Sequence, residues 1–426
     1  MKKHLPILIL LFFSPLVLFS QTLSGRLSSS VYNFERFESK DVSNTFLRSY
    51  QHGLINLSKS KFLLRTSFVV EQDLIKKVKY DPRVRFTNFY LEGRELFNHL
   101  TLRIGRHPLY HSVASGIFDG LTTEFKYQNL KVSAYYGGNV PAYQKLGLID
   151  KWNENYLAGG KINFSWRGLF FSAGYINKNF KEEDYVAIRL DDDFNADTLL
   201  IKRGSSQYEF LNAELGYDFS KISLSSNIFY DLNYNKISKL ELFGNIALIK
   251  NFDIDLYYNY REPLIRYNSY FSIFESVVEN TQEIEAGLNY RINSSFNVVG
   301  KFGFVDYSFE NSSRLTAGLI TPYGVINYRK SFGYAGELDG ISIFSNYSIL
   351  NGLLTPSVSV GYSSYKLSKD SPKNSVLYLL IGSNFRPWRV LSFDLQGQYL
   401  NNKIYKSDFR LFFKINYWFN TKLNVL

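Results

Sequence analysis

Beyond residue 20 the chain carries four histidines, His52, His99, His107 and His111, and it has no cysteine. His107 and His111 are four apart, a spacing that on a helix would offer two imidazoles on one face to a metal ion. Pro108 stands between them and argues against that helix, since proline lacks an N–H and crowds the preceding turn. An ordinary loop pair is the simpler reading. A serine hydrolase would need Ser and His within hydrogen-bond reach and a third group to orient the base. Ser112, Ser115, His111 and Asp119 crowd one stretch, but no motif fixes them relative to one another. Zero cysteine removes thiolate zinc sites, iron–sulfur clusters and cysteine nucleophiles together. No glycine-rich loop ends in the lysine that cradles phosphate. The sequence predicts no enzyme, no cofactor and no metal site.

The remaining chemistry is charge. Lys and Arg number 49 against 38 Asp and Glu, a formal net charge of +11. The basic residues are dispersed and no basic helix or stacking platform accompanies them, so nucleic acid is not an expected partner. Dispersed charges matter only if something arrays them.

The arraying element is a period of two, repeated along the chain. In the last segment Phe409, Leu411, Phe413, Ile415, Tyr417 and Phe419 share one face, opposite Arg410, Lys414 and Asn416. Residues 252–261 and 283–292 repeat the pattern. Successive side chains of a strand point to opposite faces, so each segment is a ribbon with one oily and one wet side. Very short polar turns separate the ribbons at Ser58–Ser60, Phe97–Asn98, Gln128–Asn129, Arg167–Gly168, Ser220–Lys221 and Lys250–Asn251. Others follow at Asn293–Ser295, Thr321–Tyr323, Asn351–Gly352 and Arg386–Pro387. Between them lie mostly longer connections, such as 138–153, 179–206 and 262–280. Residues 83–96 alternate poorly, and 99–106 and 324–333 are the faintest strands.

No run past Gln21 approaches the roughly 20 apolar residues of a membrane helix. Strands of about 9–11 residues suit a bilayer instead, and a sheet survives there only if closed, because lipid cannot satisfy an open edge. Tyr257, Tyr258 and Tyr260, and Tyr417, Trp418 and Phe419, cluster at strand ends, where aromatic rings favour the water–lipid boundary. The expected fold is all-β, a transmembrane antiparallel up-and-down β-barrel with an even strand number. Ten short turns with both ends on the same side imply 22 strands, within a range of 16–22.

Residues 1–20 read as a signal peptide: Lys2, Lys3 and His4 precede an apolar stretch from Leu5 to Phe19. Its loss would lower the net charge from +11 to +9. Residues 21–426 then form a single barrel domain without a plug, the first ribbon beginning near Leu23. Export through a cleaved signal to the bacterial outer membrane is the expected localisation, with outer-membrane lipid as the first partner.

The signal, the alternating ribbons and the aromatic-ended last strand resemble Gram-negative outer-membrane β-barrels. Gly105-Arg106-His107, followed by Gly116-Ile117-Phe118-Asp119-Gly120-Leu121, resembles a strand–loop–strand element of porin-like and alginate-export-like barrels. The resemblance implies passage of a solute across the outer membrane. Tyr417 and Phe419 have the spacing of the family's terminal signal for the barrel-assembly machinery. Lys414 stands where that signal usually has glycine, and the chain continues past Phe419 to Leu426.

If the oily sides face lipid, Arg48, Arg65, Arg85 and Arg103 point inward from strands two to five. Glu214, Asp218, Asp231, Asp253, Asp255, Glu283 and Glu285 point inward from strands ten to fourteen, close to opposite. Such facing charges would set a transverse field across a pore, or would pair with neighbours and hold strands together. The function expected is a channel for small polar or anionic solutes. Inward Tyr257, Phe210, Phe229, Phe243 and Trp418 allow an alternative, an oligosaccharide or polyuronate track, with core filling as the simpler role. A scaffold or adhesin barrel is the non-transport alternative, and an oligomer is compatible with each. The acidic connection 179–206, with Glu182-Glu183-Asp184 and Asp191-Asp192-Asp193, reads as a solvated outside loop and as the best candidate constriction. Asp191 to Asp197 lacks the glycine of a calcium loop.

Overall fold

The computed structural model describes residues 21–39, 42–76, 81–110, 115–141, 146–180, 185–190, 196–201, 207–266, 280–307, 310–333, 338–366, 370–403 and 407–423. The predicted signal, the acidic runs of connection 179–206, His111 and Ser112 lie outside these residues.

Twenty-two strands form one antiparallel wall in which chain neighbours are sheet neighbours. The first nine are β1 (Gln21–Ser39), β2 (Val42–Lys59), β3 (Phe62–Asp73), β4 (Arg83–Leu96), β5 (Leu100–Leu109), β6 (Gly116–Tyr127), β7 (Leu130–Val140), β8 (Tyr156–Trp166) and β9 (Leu169–Asn179). A separate hairpin follows, β10 (Tyr185–Leu190) with β11 (Ala196–Ile201). The wall resumes with β12 (Tyr208–Phe219), β13 (Ile222–Asp231), β14 (Lys236–Ile249), β15 (Phe252–Arg261), β16 (Thr281–Arg291) and β17 (Asn297–Tyr307). It ends with β18 (Glu310–Thr321), β19 (Gly324–Gly333), β20 (Leu338–Asn346), β21 (Leu354–Tyr365), β22 (Asn374–Trp388), β23 (Leu391–Asn401) and β24 (Asp408–Leu423). Strand β1 pairs both with β2 and with β24, from Gln21 opposite Leu423 to Asn33 opposite Leu411, so the sheet has no free end.

Closure decides which face is which. The outer rows expose large apolar side chains, among them Ile104, Ile284 and Leu395, each close to 60% exposed. In water each would forgo about 1.5–3 kcal/mol of burial free energy, which a surrounding apolar phase supplies. Nine of the ten buried apolar residues, Leu63, Tyr90, Phe118, Tyr135, Leu157, Ile176, Phe210, Phe229 and Val305, fall in the opposite rows, and Val140 at the end of β7 is the exception among the described residues. Side chains converge on the concave side of a closed sheet, so those rows face inward. No helix among the described residues is long and apolar enough to cross a membrane, which bears on helices only.

The tight turns have the backbone that hairpins need. Gln128, Arg167 and Ser220, with φ of 48°, 44° and 46°, sit in the left-handed region that matches the twist of the flanking strands. Two predicted turns move. The first is Ser60–Lys61, because pairing of β2 with β3 runs to Lys59 opposite Phe62. Arg386–Pro387 is not a turn but part of β22, whose ladder skips from Phe385 to Trp388. Pro387 lacks a donor, and a bulge is where a strand tolerates that. The turn is residues 389–390.

The opposite end carries the longer connections 141–155, 180–207 and 262–280. Gly138, Asn139 and Val140 belong to β7, and 180–207 holds the β10–β11 hairpin, both unlike the predicted bounds. The asymmetry is partial, since β1 and β2, and β17 and β18, are separated by two residues only. The faint segments 99–106 and 324–333 are strands β5 and β19.

Candidate functional site

Arg48, Arg65, Arg85 and Arg103 all lie in inward rows. Arg48 stands opposite Tyr32 and Asp73, Arg65 opposite Asn56 and Tyr90, Arg85 opposite Val69, and Arg103 opposite Glu92. Most are paired. Arg48 reaches both Asp81 oxygens at 3.2 Å. Arg85 donates to Glu71 at 2.6 Å while Arg83 sits 3.6 Å from the other oxygen. Arg103 and Arg94 both donate from Nε to Glu92. Arg65 differs: its Nε donates to the amide oxygen of Asn56 at 2.7 Å, and no carboxylate meets it among the described residues. Two guanidiniums on each of Glu71 and Glu92, plus Arg65, leave this wall with a positive surplus.

The acidic residues fall in inward rows as well. Glu214 accepts from Lys161 at 3.0 Å. Arg314 of β18 bridges Glu283 and Glu285, and Lys301 of β17 reaches Glu285 at 3.1 Å. Asp253 meets Arg291 at 3.1 Å, and Asp231 caps the β13–β14 connection by accepting the Asn233 and Tyr234 N–H groups. Asp255 is held by two neutral side chains, Asn245 and Asn289. Asp218 is exposed near the Ser220–Lys221 turn. Asp255 and Asp218 outnumber Arg261, the inward cation of β15 that no carboxylate meets among the described residues, and leave this wall with a negative surplus. Counting around the 22 strands from β2–β5 to β12–β16 passes about two-fifths of the circumference, so the two surpluses face each other.

Between the sectors an apolar cluster of Phe118, Tyr135, Leu157, Ile176 and Phe210 lines the inner face of β6–β9 and β12. Phe210 and Phe229 are buried, which makes them packing residues, whereas Phe243 is 40% exposed. His107 adjoins this cluster. Its Nδ1 lies 2.9 Å from the Gly105 carbonyl and its Nε2 lies 2.7 Å from Thr122 Oγ1, so both ring nitrogens are occupied. Asp119 faces the other way and is ion-paired with Arg106, unavailable to orient a histidine base. Among the described residues no group of three His, Cys, Asp or Glu side chains could hold a metal ion.

No protein-family model matches the chain, and no curated protein does. Among solved structures it is similar to a BenF-like porin from Pseudomonas fluorescens Pf-5, at 9% identity and a TM-score of 0.45, covering 95% of this chain and 100% of that one. It is also similar to OccAB2 of Acinetobacter baumannii, at 9% identity and 0.44, covering 94% and 98%. A third is Pseudomonas aeruginosa OpdK, crystallised with vanillate, at 10% identity and 0.41, covering 94% and 99%. No alginate exporter is among these structures. The 22-stranded wall rests on the register above and not on these likenesses.

Several residues of the charge belt were not legible beforehand. Arg314 and Lys301 sit on strands adjoining the acidic sector, and their pairing follows from register alone. Glu92 is inward although Arg85, an odd number of residues away on the same strand, is inward too. The β3–β4 ladder passes from Ser67–Asn88 to Phe68–Phe86, and the extra residue, Thr87, reverses the alternation. That bulge is why 83–96 alternates poorly.

Proposed function

We propose that the chain is a pore-forming barrel of the bacterial outer membrane, passing small polar solutes with a preference for anions. The observation that carries this is the pair of opposite charge surpluses on facing inner walls, centred on Arg65 and Asp255. A barrel of 22 strands is too wide to be filled by its own side chains, so its interior holds water. Fixed charges across such a lumen orient water and sort solutes by charge and polarity. Exposed apolar outer rows support a lipid surround and the outer-membrane location. The formal net charge of +9 without the predicted signal supports the anion preference.

A carboxylated saccharide is the second reading, favoured by the guanidinium of Arg65, which is bonded to the neutral Asn56 and keeps its two terminal nitrogens for a carboxylate. Single-channel conductance, reversal potential in a salt gradient and a liposome-swelling series test both. A conducting, mildly anion-preferring pore that passes small neutral sugars supports the first reading. Block by uronic acid oligomers but not by neutral ones supports the second, and a closed bilayer refutes both in favour of a scaffold.

A further inference from the structure

Arg106 and Asp119 form the most enclosed ion pair among the described residues, with side chains 3% and 4% exposed, and they lie on the outer face. On β5 the inner row holds Arg103 and His107. Arg106 alternates with them and shares its row with exposed Ile104. Its partner Asp119 continues that row on β6 beside exposed Leu121, and Gly138 and exposed Tyr136 continue it on β7.

A strap of residues 146–152 covers the pair. Arg106 donates from Nε and Nη2 to the two Asp119 oxygens at 2.7 and 2.8 Å, and Nη2 also donates to the Gly147 carbonyl at 2.7 Å. The Ile149 N–H donates back to Asp119 at 2.9 Å. Trp152 donates to the Ile149 carbonyl at 2.8 Å and packs edge-on against Tyr136. A Cβ on Gly138 would stand 2.7 Å from the Ile149 side chain, so the strap rests directly on backbone. Counted up from the β4–β5 and β6–β7 turns, the pair sits roughly 15–20 Å along the barrel axis, within an apolar band about 25 Å tall. A bare charge pair there would meet hydrocarbon, and the strap is what separates them.

Leu146 and Leu148 flank the clamped Gly147 and are 59% and 68% exposed. We propose that residues 146–152 are a lipid-docking plate. Arg106 and Asp119 clamp it to the outer wall, and Leu146 and Leu148 enter the outer leaflet among acyl chains. Acyl chains are the occupant because the plate continues the apolar row of Ile104, Leu121 and Tyr136. The proposal rests on the membrane-spanning part of the reading above, not on the pore.

The absence of cysteine lets a single introduced thiol report one position. Spin labels on Leu146→Cys and Leu148→Cys are compared with labels on Ile284→Cys, on the bare outer wall, and on Lys151→Cys, at the exposed end of the strap. Each protein is reconstituted in phosphatidylcholine vesicles, and collision with oxygen and with a water-soluble nickel chelate is measured. The expected result is an oxygen-to-chelate ratio for Leu146 and Leu148 several-fold above that of Lys151 and matching Ile284. Chelate access equal to Lys151, or shielding from both reagents as a second protein copy would impose, overturns the plate while Ile284 still reports lipid. Water access at Ile284 itself would overturn the membrane reading instead. In the Leu148→Cys background, Asp119→Asn is expected to raise chelate collision several-fold. Ile149→Pro, which removes the strap's donor to Asp119, provides the same test should Asp119→Asn fail to assemble.

Discussion

Arg65 and Asn56 are register partners on β3 and β2, joined by a 2.7 Å hydrogen bond from the guanidinium Nε to the amide oxygen. A full positive charge rests on a neutral group, so its field is not cancelled locally. Arg65→Gln is therefore expected to move the reversal potential in a salt gradient toward cation preference. Assembly should change little, since Gln can still donate to Asn56. The shift should fade near 1 M salt, where screening acts over about 3 Å.

Asp255 mirrors that arrangement on the far wall, its carboxylate held by Asn245 and Asn289. Asp255→Asn is expected to shift the reversal potential toward anions, opposite in sign to Arg65→Gln. The double variant should fall near the native value. Shifts of the same sign would mean that the two charges do not share one conduit.

Arg103 should behave differently from Arg65 because it shares the buried Glu92 with Arg94. Arg103→Gln removes a charge from the wall and also leaves Glu92 under-compensated. Besides a selectivity shift, it is expected to lower unfolding stability in urea by about 1–3 kcal/mol. Equal stability of Arg65→Gln and Arg103→Gln would contradict this.

Phe118 is fully buried at the centre of the inner apolar cluster, against His107 and Tyr135. Phe118→Ala is expected to cost about 3–5 kcal/mol of unfolding stability by leaving a cavity. Heat-modified migration on gels should report the same loss as a lower transition temperature.

The ring of Tyr378 on β22 covers Gly361, its register partner on β21. A Cβ at Gly361 would overlap the ring, so Gly361→Ala is expected to destabilise by about 1–3 kcal/mol. In Tyr378→Ala the same substitution should cost far less, and a double-mutant cycle measures the difference.

Period-two alternation made the wall legible. The side-chain period of a strand is two, so the oily and wet rows of β15, β16 and β24 could be written down directly. Short polar turns then set the strand count. Parity fails wherever one residue is inserted. Thr87 reverses the rows of β4 and hid Glu92, and the bulge at Pro387 disguised strand as turn. The β10–β11 hairpin was hidden in a connection read as loop.

What only the tertiary structure decided is which charges cancel. Whether Arg103 or Arg65 keeps its field depends on the register between adjacent strands, a long-range property that no single ribbon encodes. The same holds for Arg106 and Asp119. Alternation alone would turn both toward lipid, and only the return of residues 146–152 across the outer wall closes off their charge.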